Sequence, residues 1–205
     1  MNTTPDAVGF STCREAIMRK VHESADTAIK FFDQYAEQLD RLAAHMASAF
    51  SAGHRLFTLG NGGSACDAEH ISVEFMHPIF EKRKPLPCIP LTTQSALLSA
   101  LSNDLDFSAV FAAQLSQLAG RGDMALAVST SGMSSNLVKG LQEARKIGLT
   151  TIAFSGKDGG RLSGMADWDF IVPSYSIHRI QESHTILLHV LWDLVHIKLG
   201  EEDIV

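Results

Sequence analysis

With 205 residues, 45% of them apolar and 20% charged, the chain is long enough to bury a sizeable core in one α/β unit. Its formal charge of −6, from 17 basic and 23 acidic residues, argues against broad contact with a nucleic-acid backbone. No uninterrupted apolar run approaches the ~20 residues of a membrane span. The polar, mixed start from Met1 to Phe10 lacks the basic-then-apolar order of a signal peptide.

Residues 1–10 read as frayed. From Cys13 to Ala52 the chain is helix-forming, with Ile17, Val21, Ala25, Ala28 and Phe32, then Leu39, Leu42, Met46 and Phe50, at three- and four-residue steps. The stretch exceeds a typical globular helix, so two helices or one kinked helix are expected. After Gly53 short apolar runs alternate with helical ones. Strands are expected at Arg55–Leu59, Cys88–Leu91, Met124–Ser129, Thr150–Phe154 and Asp169–Val172. Helices are expected at Ala65–Met76, Thr93–Ser102, Ala109–Ala119, Ser134–Ile147, Arg161–Met165 and Arg179–Leu199. Strand runs that are apolar throughout indicate parallel strands covered on both faces. Their alternation with helices predicts an α/β, doubly wound parallel sheet. The helical arm (1–52) and the following unit (53–200) are assigned to one domain. The basic run Lys82-Arg83-Lys84 beside Pro85 reads as a solvated loop. Cys13, Cys66 and Cys88 are sparse, odd in number and share no CxxC spacing, as expected of reduced thiols in a cytoplasmic protein.

Two turns carry the first chemistry. Gly60-Asn61-Gly62-Gly63-Ser64 and Ser129-Thr130-Ser131-Gly132-Met133-Ser134 each follow a strand and open a helix. In an open parallel sheet such turns line the ligand crevice. Glycines admit close approach, and the helix N-terminal N–H groups favour an anion. Neither turn is GxGxxG or carries a Walker lysine, so a monophosphate ester fits better than a nucleotide. Asn61, Gly62, Gly63, Ser64, Ser129, Thr130, Ser131 and Ser134 are the candidate phosphate-binding residues.

His70 and Glu74 stand four apart and share a helix face that begins at this crevice. They form half of a metal site, or a surface ion pair. The last helix adds Gln181, Glu182, His184 and His189. Gln181 and His189 are about 12 Å apart along a straight helix and about 80° out of line. One metal then lies midway between extended side chains, or the two ligands come from different subunits. His189, among Leu187, Leu188 and Leu191, also fits a packed core histidine.

These turns, together with Gly156-Lys157-Asp158-Gly159-Gly160, occur in the same order and at similar spacing in the SIS (sugar isomerase) family. The chain resembles its phosphoheptose isomerase branch from about Ala25 to Leu199. That resemblance implies a flavodoxin-like five-stranded sheet and a homotetramer with active sites where subunits meet. It implies a phosphorylated-sugar substrate and one zinc per site on His70, Glu74, Gln181 and His189. Glu74 and His189 are then the proton-transfer groups, with Gln181 and Asp104 also on the substrate. The implied activity is aldose–ketose isomerisation of sedoheptulose 7-phosphate to D-glycero-D-manno-heptose 7-phosphate through an enediol, in lipopolysaccharide biosynthesis.

The sequence departs from the family pattern at three points. Met76-His77-Pro78 replaces a Thr-Gly-Arg turn, His178 an aspartate and Met133 an asparagine, leaving room for another ketose phosphate. The alternative is a non-catalytic sugar-phosphate-binding protein similar to the DnaA initiator-associating protein, which lacks the glutamate and final histidine retained here as Glu74 and His189. A SIS regulator with a DNA-binding helix-turn-helix is disfavoured, because no separate basic domain precedes the SIS portion.

Overall fold

A computed structural model describes residues 10–79 and 83–203, with side chains from residue 13 onward. The segment Met1–Gly9, read as frayed, and Lys82 of the basic run lie outside the described residues.

The first helix, α1, runs unbroken from Phe10 to Ser51, where two helices or a kink were expected. Neither glycine nor proline occurs in this span, so nothing interrupts its hydrogen-bond ladder. Its carboxyl half buries Phe31, Leu39, Leu42, Met46 and Phe50, whereas Ile17, Val21 and Ile29 in the amino half stay exposed. It stops at Gly53, which takes the left-handed conformation (φ 84°) of a helix C′ residue.

The remaining elements are β1 (Leu56–Gly60), α2 (Gly63–Met76), β2 (Cys88–Pro90), α3 (Ser95–Asp104), α4 (Val110–Leu118), β3 (Met124–Val128), α5 (Ser135–Ile147), β4 (Thr150–Gly156), β5 (Trp168–Val172) and α6 (Ile177–Lys198). Among the described residues the strands form one sheet of order β2-β1-β3-β4-β5, every pair parallel. This is the expected flavodoxin-like arrangement. Leu56, Met124, Leu126, Ile152, Phe154 and Phe170 face α1, α2 and α6. Phe57, Leu59, Ala125, Ala127 and Ala153 face α4 and α5. Successive strand residues thus alternate between two cores.

Two expectations are corrected. Arg161–Met165 is not an α-helix but holds only a 3-10 turn, Gly160–Leu162. Glycines with positive φ at 159, 160 and 164 allow no longer helix to form there. Arg83 is not solvated: its side chain is 1% exposed and its Nη2 lies 2.5 Å from Asp193. Lys84 beside it is exposed.

His184 also points inward. It is fully buried on α6, and its Nε2 donates to the Ser155 carbonyl at 3.1 Å. Burial pulls its pKa down to about 4, with the Ser155 bond opposing. Because the folded pKa lies below the unfolded value of 6.5, no penalty exists above pH 6.5. Stability falls as the unfolded chain takes up a proton between pH 6.5 and 4, by on the order of 3 kcal/mol in total. Urea midpoints across this window should therefore slope less for His184→Gln than for wild type. Equal slopes would remove His184 from the acid response.

Cys13, Cys66 and Cys88 are free thiols. Cys88 is buried, and desolvation raises its pKa to about 12, which leaves it unreactive. Among the described residues no helix is long and apolar enough to cross a membrane.

Candidate active site

The strand order turns at β1 and β3, so the crevice at their carboxyl ends is where a ligand is expected. The two turns meet there. Asn61 and Ser64 from the first, with Ser129, Thr130, Ser131 and Ser134 from the second, line a cavity of about 70 Å³. None of these side chains is charged. Anion affinity would come from hydroxyls, an amide and the N-termini of α2 and α5. The hydroxyl of Ser134, the residue preceding α5, makes no capping bond and stays available. Ser129 Oγ accepts from Gly132 N at 3.0 Å and Ser131 Oγ from Met133 N at 3.3 Å, so both shape the turn and keep their own protons to donate. Gly62 (φ 54°) and Gly63 supply backbone at the first turn.

The Gly156–Gly160 segment backs this cradle. Gly132 has φ 63°, and a Cβ there would stand 1.8 Å from the Gly159 carbonyl oxygen. Leu162 N donates to Gly132 O at 3.1 Å. The glycines of the two loops therefore let one lie directly on the other.

Farther along α2, His70 Nε2 lies 3.3 Å from Glu74 Oε1 and 3.3 Å from His189 Nε2 on α6. Ligand atoms of all three residues lie within 4.8 Å of one another. His189 is exposed while Leu187, Leu188 and Leu191 are buried, so the packed-core reading of this histidine fails. His70 begins about 9 Å beyond Ser64 along the helix axis, comparable to the reach from a sugar's ester phosphate to a carbonyl near its other end.

The other candidates lie apart from this trio. The amide of Gln181 rests against Gly63, where an added Cβ would stand 2.1 Å from its Nε2. Among the described residues no hydrogen bond joins it to His70, Glu74 or His189. Asp104 is the exposed last residue of α3, and its Oδ1 accepts from Asn103 Nδ2 at 2.8 Å. It is neither a helix N-cap nor bonded to the cluster. Glu182 is engaged elsewhere, accepting from Ser24 at 2.6 Å and Arg179 at 2.8 Å.

The SIS domain family model matches residues 21–156. Phosphoheptose isomerase of Aquifex aeolicus is 43% identical over 181 residues, spanning 88% of this chain and 95% of that protein. The chain belongs to the SIS family, in its phosphoheptose isomerase branch. The phosphoheptose isomerase of Thermodesulfovibrio yellowstonii is 39% identical over 88% of the chain and 90% of its own length. Among solved structures, phosphoheptose isomerase from Francisella tularensis superposes with a TM-score of 0.86 at 31% identity, covering 91% of this chain and 99% of that one. GmhA from Neisseria gonorrhoeae gives 0.84 at 30%, covering 90% and 98%.

The ligand atoms of the trio have the chemistry and spacing to hold a metal ion. Four ligands at about 2.0–2.1 Å around a tetrahedral zinc stand about 3.3 Å apart, matching the two 3.3 Å separations from His70. Two imidazole nitrogens this close also need either a shared proton or a cation between them.

Two further residues were not apparent in the sequence. Asp67 shares the α2 stripe with Gly63, His70 and Glu74, and its spacing was the available signal. Burial raises its pKa to about 6, opposed by attraction to His70 and a hydrogen bond with Thr185. Asn136, in the first turn of α5, is 2% exposed and bonded to Asn61. No spacing rule pairs it with a residue 75 positions away.

Proposed function

We propose that the chain is an aldose–ketose isomerase of a phosphorylated sugar, with sedoheptulose 7-phosphate as substrate and D-glycero-D-manno-heptose 7-phosphate as product. The observation that carries this reading is the imidazole–carboxylate trio His70, Glu74 and His189 set along α2 from a neutral, hydroxyl-lined cradle. The cradle residues Asn61, Gly62, Gly63, Ser64, Ser129, Thr130, Ser131 and Ser134 anchor the phosphate. Binding energy spent there fixes the register of the reacting carbons.

At the other end, one of the pair Glu74 and His189 takes the proton from C1 while the C2 oxygen gains one, giving the enediol. The reverse transfers then place a proton on C2 and remove that of the C1 hydroxyl, so atoms and charge balance. His70, Glu74 and His189 would hold a zinc ion, joined by Gln181 only from a neighbouring subunit because within one chain Gln181 lies apart from the trio, and the ion would supply Lewis acidity to the sugar oxygens. Glu74 turns one oxygen to His70, and its second remains for proton transfer. Gln181 and Asp104 bind sugar hydroxyls in this reading.

Self-association as a homotetramer is supported by apolar side chains left exposed on α1 (Ile17, Val21, Ile29) and beside the trio (Val73, Met76, Ile186). From the same family relation we infer a cytoplasmic enzyme supplying heptose for lipopolysaccharide biosynthesis. The non-catalytic reading is not favoured, because the trio is assembled.

Purified protein incubated with sedoheptulose 7-phosphate should form aldose phosphate. A chelator should suppress the reaction, and added zinc should restore it. No aldose phosphate from any member of a ketose-phosphate panel, with metal present, would end the isomerase reading. Turnover unaffected by complete metal removal would end the zinc assignment alone.

A further inference from the structure

Asn61 and Asn136 join the two halves of the cradle through a reciprocal amide pair. Asn61 Nδ2 donates to Asn136 Oδ1 at 2.9 Å, and Asn136 Nδ2 donates to Asn61 Oδ1 at 2.8 Å. The orientation of the pair follows from a third bond. Leu137 N, which can only donate, lies 3.0 Å from Asn136 Oδ1, so that atom is the carbonyl oxygen. Asn136 must then present its NH₂ to Asn61, and Asn61 must answer with its own carbonyl. This consumes the Asn61 acceptor and one of its two N–H groups. The other N–H remains on a side chain that lines the cavity. Asn136 itself is absent from the cavity lining, buried in the first turn of α5.

We propose that Asn136 is a positioning residue for the phosphate site. It holds the Asn61 amide so that a donor rather than a carbonyl oxygen meets the anion, and it keeps the β1–α2 and β3–α5 turns in register. The inference rests on the reading of these turns as a phosphate cradle. Without Asn136, the Asn61 amide is free to rotate and set an acceptor against a dianion, in a cradle that has no charged lining side chain to compensate. Asn136 thus acts through Asn61, and its contribution should vanish when Asn61 is gone.

The test is a double-mutant cycle on the full-length, zinc-loaded protein, with inorganic phosphate as the probe and KM for sedoheptulose 7-phosphate as the second readout. Asn136→Ala should weaken phosphate binding and raise KM by about tenfold, the worth of one well-placed hydrogen bond, with kcat changed far less. In an Asn61→Ala background the same substitution should change both by less than about twofold, because the residues are coupled rather than additive. A purely structural role predicts the same loss in either background.

Asn136→Asp guards against misfolding. An aspartate in the first turn of α5 favours the helix, yet it leaves an oxygen facing Asn61 Oδ1 and adds charge beside the anion. It should therefore lose phosphate affinity by more than tenfold in a folded protein. Phosphate affinity and KM within about twofold of wild type in both Asn136 variants overturn the proposal. So does an undiminished Asn136→Ala effect in the Asn61→Ala background. If wild type itself binds no phosphate and phosphate does not compete with substrate, the cradle reading fails as well.

Discussion

Glu74→Gln should bind sugar phosphate and inorganic phosphate like wild type while losing kcat by about 10²–10⁴, the usual worth of a positioned proton-transfer group. The substitution keeps side-chain length and a hydrogen-bonding oxygen for His70 Nε2, now 3.3 Å from Glu74 Oε1. It removes the charge and the site that accepts a proton. The cradle lies at the start of α2, about three helical turns away, so KM should move little. Metal content separates two causes of lost turnover. A variant that retains zinc but fails to exchange the C1 proton with solvent has lost its base. One that has lost its zinc reports on ligation instead, and zinc titration should then restore part of the rate. Full activity in Glu74→Gln removes the residue from the mechanism. His189→Gln, changed on the facing helix, should likewise lower kcat more than it raises KM.

The sheet was legible because its strands are buried on both faces and so read as apolar runs. β1, β3 and β4 each start within one residue of the expected position. α1 differs from the expected two helices or kink because no glycine or proline between residues 10 and 51 interrupts it, and its length alone does not break a helix. Within the candidate site, what sequence conveyed was local: glycine and hydroxyl turns after strands, and a histidine and glutamate one helical turn apart. The identity of His189 was visible, but not its exposure. Helical steps of 100° place it away from Leu187, Leu188 and Leu191, and only packing reveals which side meets the core. Contacts made across the chain were invisible. Asn136 matters through Asn61, on another strand's loop, and Arg83 through α6. Local charge pattern suggested water around Arg83, whereas tertiary structure supplies it with two carboxylates and an indole.

That arginine yields the largest expected change in stability. Its guanidinium bonds Asp193 at 2.5 Å and the Glu202 carbonyl at 3.1 Å, approaches Glu201 at 3.7 Å and lies 4.5 Å from the centre of the Trp192 ring. Glu201 also meets His196 Nδ1 at 2.9 Å. One side chain therefore ties the segment leading into β2 to the end of α6 and the residues after it. Arg83→Met preserves much of the buried stem but leaves Asp193 and Glu201 without their cation. Removing one partner of a buried pair costs about 3 kcal/mol or more, equivalent to roughly 6–12 °C in Tm for a protein of this size. Lys84→Met, one residue on at an exposed position, should cost about 0.5 kcal/mol or less. Adding Asp193→Leu to Arg83→Met should recover part of the loss, because the carboxylate left uncompensated by the first change is then gone. Thermal melts of these variants decide the matter. An Arg83→Met protein that melts with Lys84→Met would mean that the buried guanidinium is dispensable and the segment is held by Leu86, whose N–H donates to the Phe75 carbonyl at 2.7 Å.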